Sequence, residues 1–170
     1  MKKGLIVAMI HVLIVCSLGA KLLIDRATRP RIWVQTVSYD PNLPIRGRYV
    51  ALRARMDTDV PPPPQNESQD RFWYPYAKVR LEVRNGKLFG ARDNNGSVEM
   101  TWMRDPAGKW IAITSEPSLF FIGEHVTDPS FRRAGETLWF EATIPKKGPP
   151  RPNQLAVSKP DGKFEPLNLN

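Results

Sequence analysis

Two kinds of periodicity divide this chain. Residues 4–24 (GLIVAMIHVLIVCSLGAKLLI) are apolar almost without a break, interrupted only by His11, Ser17 and Lys21. At about 1.5 Å per residue, a helix of that length covers the ~30 Å hydrocarbon core of a bilayer. Beyond it the period is two. In Lys78–Arg84, Val79, Leu81 and Val83 face one way while Lys78, Arg80, Glu82 and Arg84 face the other, the pattern of a half-buried strand. Asn85-Gly86 follows at once and predicts a tight hairpin into Lys87–Arg92. Asn94-Asn95-Gly96 turns into a strand over Val98–Met103, and Asp105-Pro106-Ala107-Gly108 into another over Trp110–Thr114. Later strands are predicted at Leu119–Ile122, Thr137–Ile144 and Gln154–Ser158, with Pro160-Asp161-Gly162 before a last one. After the apolar run no segment sustains a helical period. The predicted fold is an all-β meander, a small antiparallel sandwich or partly open barrel, preceded by one N-terminal transmembrane helix.

The chain then divides into a tail (1–3), an anchor (4–24), a juxtamembrane linker and first strand (25–37), and a β-rich extracytoplasmic domain (38–170). The residues after the anchor suffice for one domain with a single core. Proline punctuates them. Asp57–Asp70 (DTDVPPPPQNESQD) reads as a polar loop, stiffened into polyproline II by Pro61–Pro64, and residues 145–152 (PKKGPPRP) read as a second connector.

A cleaved signal peptide is the rival to the anchor, because Lys2 and Lys3 form a short positive start. Ser17-Leu18-Gly19 is a passable cleavage match, yet the apolar run continues through Leu22, Leu23 and Ile24, longer than a signal core needs. A lipid-attachment cysteine would want a small residue before it, and Cys16 follows Val15. Lys2 and Lys3 lie on one side of the run, and Lys21, Arg26, Arg29 and Arg31 on the other. Counting Lys and Arg alone favours the wrong topology for an exported domain, but long domains translocate largely regardless of nearby charge. The expectation is a single-pass protein of the bacterial inner membrane with its C-terminal domain in the periplasm.

Composition narrows the chemistry. Of the 25 Lys and Arg, three (Lys2, Lys3, Lys21) lie at or before residue 24, leaving 22 against 17 Asp and Glu, a net charge of +5 for the rest. These cations are scattered among acids in runs no longer than two, with no nucleic-acid-binding motif. With no cysteine after Cys16, that part of the chain has no disulfide or Cys-based metal site. No cofactor is expected.

Residues 35–56 (QTVSYDPNLPIRGRYVALRARM) read as an Asp40-Pro41 turn, then Gly47, then a strand with Val50, Leu52 and Ala54 on one face and Tyr49, Arg53 and Arg55 on the other. This block resembles the GDYXXLXY family of membrane-anchored proteins, named for a run that follows an Asp-Pro turn after an N-terminal hydrophobic helix. Here the run is Gly47-Arg48-Tyr49-Val50-Ala51-Leu52-Arg53-Ala54, with Gly47, Tyr49 and Leu52 in register. Arg48 stands where the family has Asp, and Ala54 where it has its final Tyr. Downstream, Phe120-Phe121-Ile122-Gly123-Glu124 and Leu138–Pro145 look like the family's aromatic-Glu segment and closing strands. The resemblance implies a membrane-tethered domain found near multi-spanning membrane proteins, with Asp40, Pro41, Gly47, Tyr49, Leu52 and Glu124 as its motif residues. By its residues alone the motif is a turn and a core strand.

Enzymatic chemistry finds little support. A Gly-Asp-hydrophobic run after an anchor also resembles signal peptidases, but no Ser stands in the required setting; Ser38 precedes Tyr39-Asp40. His125, the only histidine after the anchor, sits beside Glu124, and neighbouring strand residues point apart. Binding is better supplied. Phe72, Trp73, Tyr74 and Tyr76 gather four aromatics in five positions, and Trp33 suits a membrane interface. The leading expectation is a non-enzymatic interaction domain acting beside an integral membrane protein. One alternative is binding of anionic envelope polymer or lipid headgroups through Arg53, Arg55, Lys78, Arg80 and Arg84; another is an unrecognised hydrolase.

Overall fold

The computed structural model of the chain describes residues 2–38, 49–64, 76–130 and 132–169. They form two compact units, residues 1–30 and 31–170.

The first unit is helix α1 (Lys2–Thr28). Its stretch Gly4–Asp25, with a mean hydropathy of 2.3, is long and apolar enough to cross a membrane. Two polar side chains within it turn back on the helix. Ser17 Oγ donates to the Ile14 carbonyl at 2.8 Å, and His11 Nδ1 lies 2.8 Å from the Val7 carbonyl. The last turn is closed by the Arg29 amide donating to the Asp25 carbonyl, and Pro30, with no N–H to donate, ends it.

The second unit is all β among its described residues. Its strands are β1 (Arg31–Ser38), β2 (Tyr49–Thr58), β3 (Ala77–Arg84), β4 (Lys87–Arg92), β5 (Val98–Arg104), β6 (Trp110–Thr114), β7 (Ser118–Phe121), β8 (Thr137–Thr143), β9 (Arg151–Ser158) and β10 (Phe164–Pro166). The alternation read in the sequence is the alternation of burial. Val79 and Leu81, Val98, Met100 and Trp102, and Val50, Leu52 and Ala54 all point into one core, joined by Phe120, Phe140 and Leu155. The β3–β4 turn has Asn85 at φ +51° and Gly86 at φ +73°, both in the left-handed region that Asn and Gly tolerate.

The pairing departs from a meander. The strands follow the order β10-β9-β8-β1-β2-β4-β3-β5-β6, β7 pairs with β2, and β2 also pairs with β6. All pairs are antiparallel except β2–β4, which is parallel. The reason lies in β2. Along one edge it pairs with β1 at Leu52–Ala54 and then with β4 at Asp57–Thr58. Along the other it pairs with β7 at Tyr49–Leu52 and then with β6 at Arg55–Met56. Its first half therefore belongs to a sheet with β1, β8, β9, β10 and β7, and its second half closes the circuit β2-β4-β3-β5-β6. The result is a partly open barrel joined to a sheet over one core.

Both proline-rich connectors differ in their boundaries from expectation. The polar loop starts after Thr58, not at Asp57, because Asp57 and Thr58 extend β2 onto β4 and the Thr58 hydroxyl donates to the Gly90 carbonyl at 2.6 Å. Pro63 within the proline run is buried. The second connector ends earlier, because Arg151 and Pro152 already pair with β8, across a bulge at Glu141/Ala142.

Candidate interaction site

Two of the sequence blocks behind the family resemblance lie side by side where they are described. β2 and β7 pair with Tyr49 opposite Phe121, Val50 opposite Phe120 and Leu52 opposite Ser118. Residues directly opposite share a face of the sheet. Val50, Leu52 and Phe120 thus point into the core, with Leu52 wholly buried. Tyr49, half-buried, shares the outer face with Phe121 and Leu119, which are 73% and 43% exposed. β7 has β2 as its only strand partner among the described residues, so it presents an apolar side-chain row on an edge strand. The segment after β7 is fastened to the C-terminal tail by the Gly123 amide donating to the Leu169 carbonyl at 3.1 Å. Glu124 follows in that turn and is exposed, as is His125. Asp40, Pro41 and Gly47 lie outside the described residues.

The five basic residues separate into two groups. Arg53 and Arg55 stand on the outer face of β2, and Lys78, Arg80 and Arg84 on that of β3, with β4 between the two strands. The β3 group is largely engaged with an acid of its own strand. Arg80 donates to Glu82 Oε1 through Nη2 at 3.1 Å and Nε at 3.3 Å; Arg84 donates to Oε2 through Nη2 at 2.9 Å and Nε at 3.1 Å. The Arg84 hydrogen bond, seconded by Arg80, holds the Glu82 carboxyl below the usual carboxylate range. The Arg84 guanidinium also lies 3.8 Å from the Phe89 ring centroid. On β2, Arg55 Nη1 donates to Gln35 Oε1 at 3.0 Å. Lys87, which sequence reasoning passed over, stands opposite Arg84 in the hairpin.

Of the aromatic run, Phe72, Trp73 and Tyr74 lie outside the described residues, and Tyr76 precedes β3 at 55% exposure. Trp33, expected at a membrane interface, is part of β1, where its ring meets Phe164 edge-on at 4.7 Å. Among the described residues no group of three or more His, Cys, Asp or Glu is placed to hold a metal ion.

These features define a mostly-β domain with one N-terminal apolar helix of membrane-spanning length. Comparison with known protein families, with curated proteins and with solved structures returned no match to this chain.

Proposed function

We propose that this chain is a membrane-tethered, non-enzymatic interaction domain. It works beside an integral membrane protein, which it contacts through the outer face of β7 and the start of β2. The observation that carries this reading is the pairing of Phe121, Leu119 and Tyr49 on the outer face of an edge strand. Exposed apolar rows of this kind mark partner surfaces, and a free strand edge supplies backbone groups to receive one. Support also comes from the apolar helix, which would keep the domain at a membrane surface, and from the layout resembling the GDYXXLXY family. The host is the bacterial inner membrane, with α1 uncleaved and the β domain in the periplasm.

The test is crosslinked co-purification from native membranes, comparing the natural chain with a Leu119→Asp/Phe121→Asp variant. The natural chain should capture one membrane protein that the variant loses while its circular dichroism stays unchanged. Capture of the same species by both would remove β7 from the interface; no captured membrane protein would defeat the proposal. A reporter active only outside the cytoplasm, fused at Asn170, should be active.

A further inference from the structure

A second feature lies on the outer face of the sheet, away from β7. Trp33 and Gln35 of β1, Arg55 and Asp57 of β2, Lys87 of β4 and Trp139 of β8 line an open cavity of about 210 Å³. The register puts these side chains together. Gln35 stands opposite Trp139 across β1–β8, and Thr36 opposite Ala54 brings Gln35 abreast of Arg55. The aromatic wall is braced from behind. The Trp139 indole N–H donates to Ser158 Oγ at 3.0 Å, and Phe164 of β10 packs edge-on against both indoles, at 4.7 and 6.4 Å. Such rings are held in place before any ligand arrives, which lowers the ordering entropy of binding.

We propose that this cavity binds a sugar ring carrying a carboxylate, as in an acidic envelope glycan. Its size is below the roughly 300–1,000 Å³ of pockets for drug-sized ligands, so it accommodates one ring of a longer chain. The two indoles offer apolar faces of the kind that the C–H face of a pyranose covers. Gln35 and Asp57 offer an amide and a carboxylate to hydroxyl groups, which both donate and accept. The charge of the wall is positive, with Arg55 and Lys87 against Asp57. Arg55 commits one of a guanidinium's five N–H donors to Gln35, and Lys87 forms no ion pair with any described residue. Both cations suit a carboxylate, and a planar guanidinium suits it in two-pronged fashion. A neutral sugar would leave them unanswered. The cavity shares no lining residue with the Leu119–Phe121 surface, so either can fail while the other stands.

The experiment uses the full chain in a detergent without a sugar headgroup, titrated with tri-galacturonate, maltotriose or a uridylate trimer, and read by tryptophan fluorescence and calorimetry. Phosphatidylcholine vesicles carrying glucuronosyl diacylglycerol form a parallel arm. Tri-galacturonate should bind saturably, about tenfold more tightly than maltotriose, and Lys87→Gln should weaken it about tenfold, the scale of one charged hydrogen bond. Lys87 is exposed, so the variant should keep its circular dichroism and melting temperature. Binding of the vesicles without tri-galacturonate would assign the acidic ring to a lipid headgroup, and the reverse to a glycan. The proposal is overturned if neither binds, if maltotriose or the uridylate trimer binds as tightly, or if Lys87→Gln changes nothing.

Discussion

Leu52 offers the sharpest test of whether the motif strand is structural. It is wholly buried, and β2 is paired on both edges at this position, with Ser38 of β1 on one side and Ser118 of β7 on the other. Leu52→Ala removes three carbons, worth about 0.8 kcal/mol each in transfer free energy, or about 2.4 kcal/mol together. The cavity left behind adds to this in proportion to how little the surroundings collapse. Here collapse is restricted, because both neighbouring strands are fixed by ladders and Phe140 and Ala54 in the same core are themselves wholly buried. The expected loss is therefore about 3–4 kcal/mol, within the range of roughly 2–5 seen for buried leucines. For a domain of this size, at about 3–4 °C per kcal/mol, the melting temperature should fall by about 9–16 °C. Urea unfolding followed by tryptophan fluorescence measures the first quantity and a near-ultraviolet circular dichroism melt the second. Leu52→Met, which conserves volume, should cost less than about 1.5 kcal/mol. A Leu52→Ala loss below about 1 kcal/mol would refute the placement of Leu52 in the core, and with it the structural reading of the motif.

Two further outcomes follow from local geometry. Gly96 and Gly86 should respond differently to alanine. A Cβ on Gly96 would stand 2.5 Å from the Val79 carbonyl oxygen, a backbone atom that cannot swing away, so Gly96→Ala should disturb the β3–β5 pairing. At Gly86 nothing lies within 4 Å, so the penalty is only that of a left-handed backbone, about 1–2 kcal/mol by urea titration. The Arg80–Glu82–Arg84 cluster predicts a pH signature. Because the folded carboxyl titrates below its ordinary value of about 4.3, its contribution is present above that value and is lost as pH falls through the lower folded one. Glu82→Gln should therefore be slightly less stable than the natural chain at neutral pH and indistinguishable from it in strong acid, with the gap narrowing in high salt. A gap that grows on acidification would contradict the assignment.

The strands were legible because each carries a local signal: one buried face, a period of two, and a turn residue at each end. Lys87–Arg92 and Trp110–Thr114 begin and end where the pattern places them. The pairing was not legible. Nothing in Thr137–Thr143 says that its partner is β1, and nothing in Asp57–Thr58 announces a parallel neighbour, because register between distant strands is decided by the shared core. The same limit hid the cavity, whose aromatic wall draws Trp33 and Trp139 from strands far apart in sequence and is braced by Phe164 of a third. The Glu82 clamp was readable in principle. Residues two apart on a strand share a face, so the glutamate between Arg80 and Arg84 was the sign that those two cations serve each other's neighbour first.

The placement of β1 sets an order on how the domain can assemble. Its long ladder is with β8, and the Thr36 hydroxyl donates to the Leu138 carbonyl 102 residues further on. A ribosome or translocon releases the chain from the N-terminus, so the first strand can pair early only with β2, over Thr36–Ser38, and its longer ladder must wait through the making of six others. Strand β2 is likewise incomplete at first, because its remaining edges are taken by β4, β6 and β7. Closing so long a loop is slow, and the half-made domain exposes unpaired edges meanwhile. Completion is thus an event of the last thirty or so residues, and a truncation before β8 should leave not a smaller domain but an unfinished one.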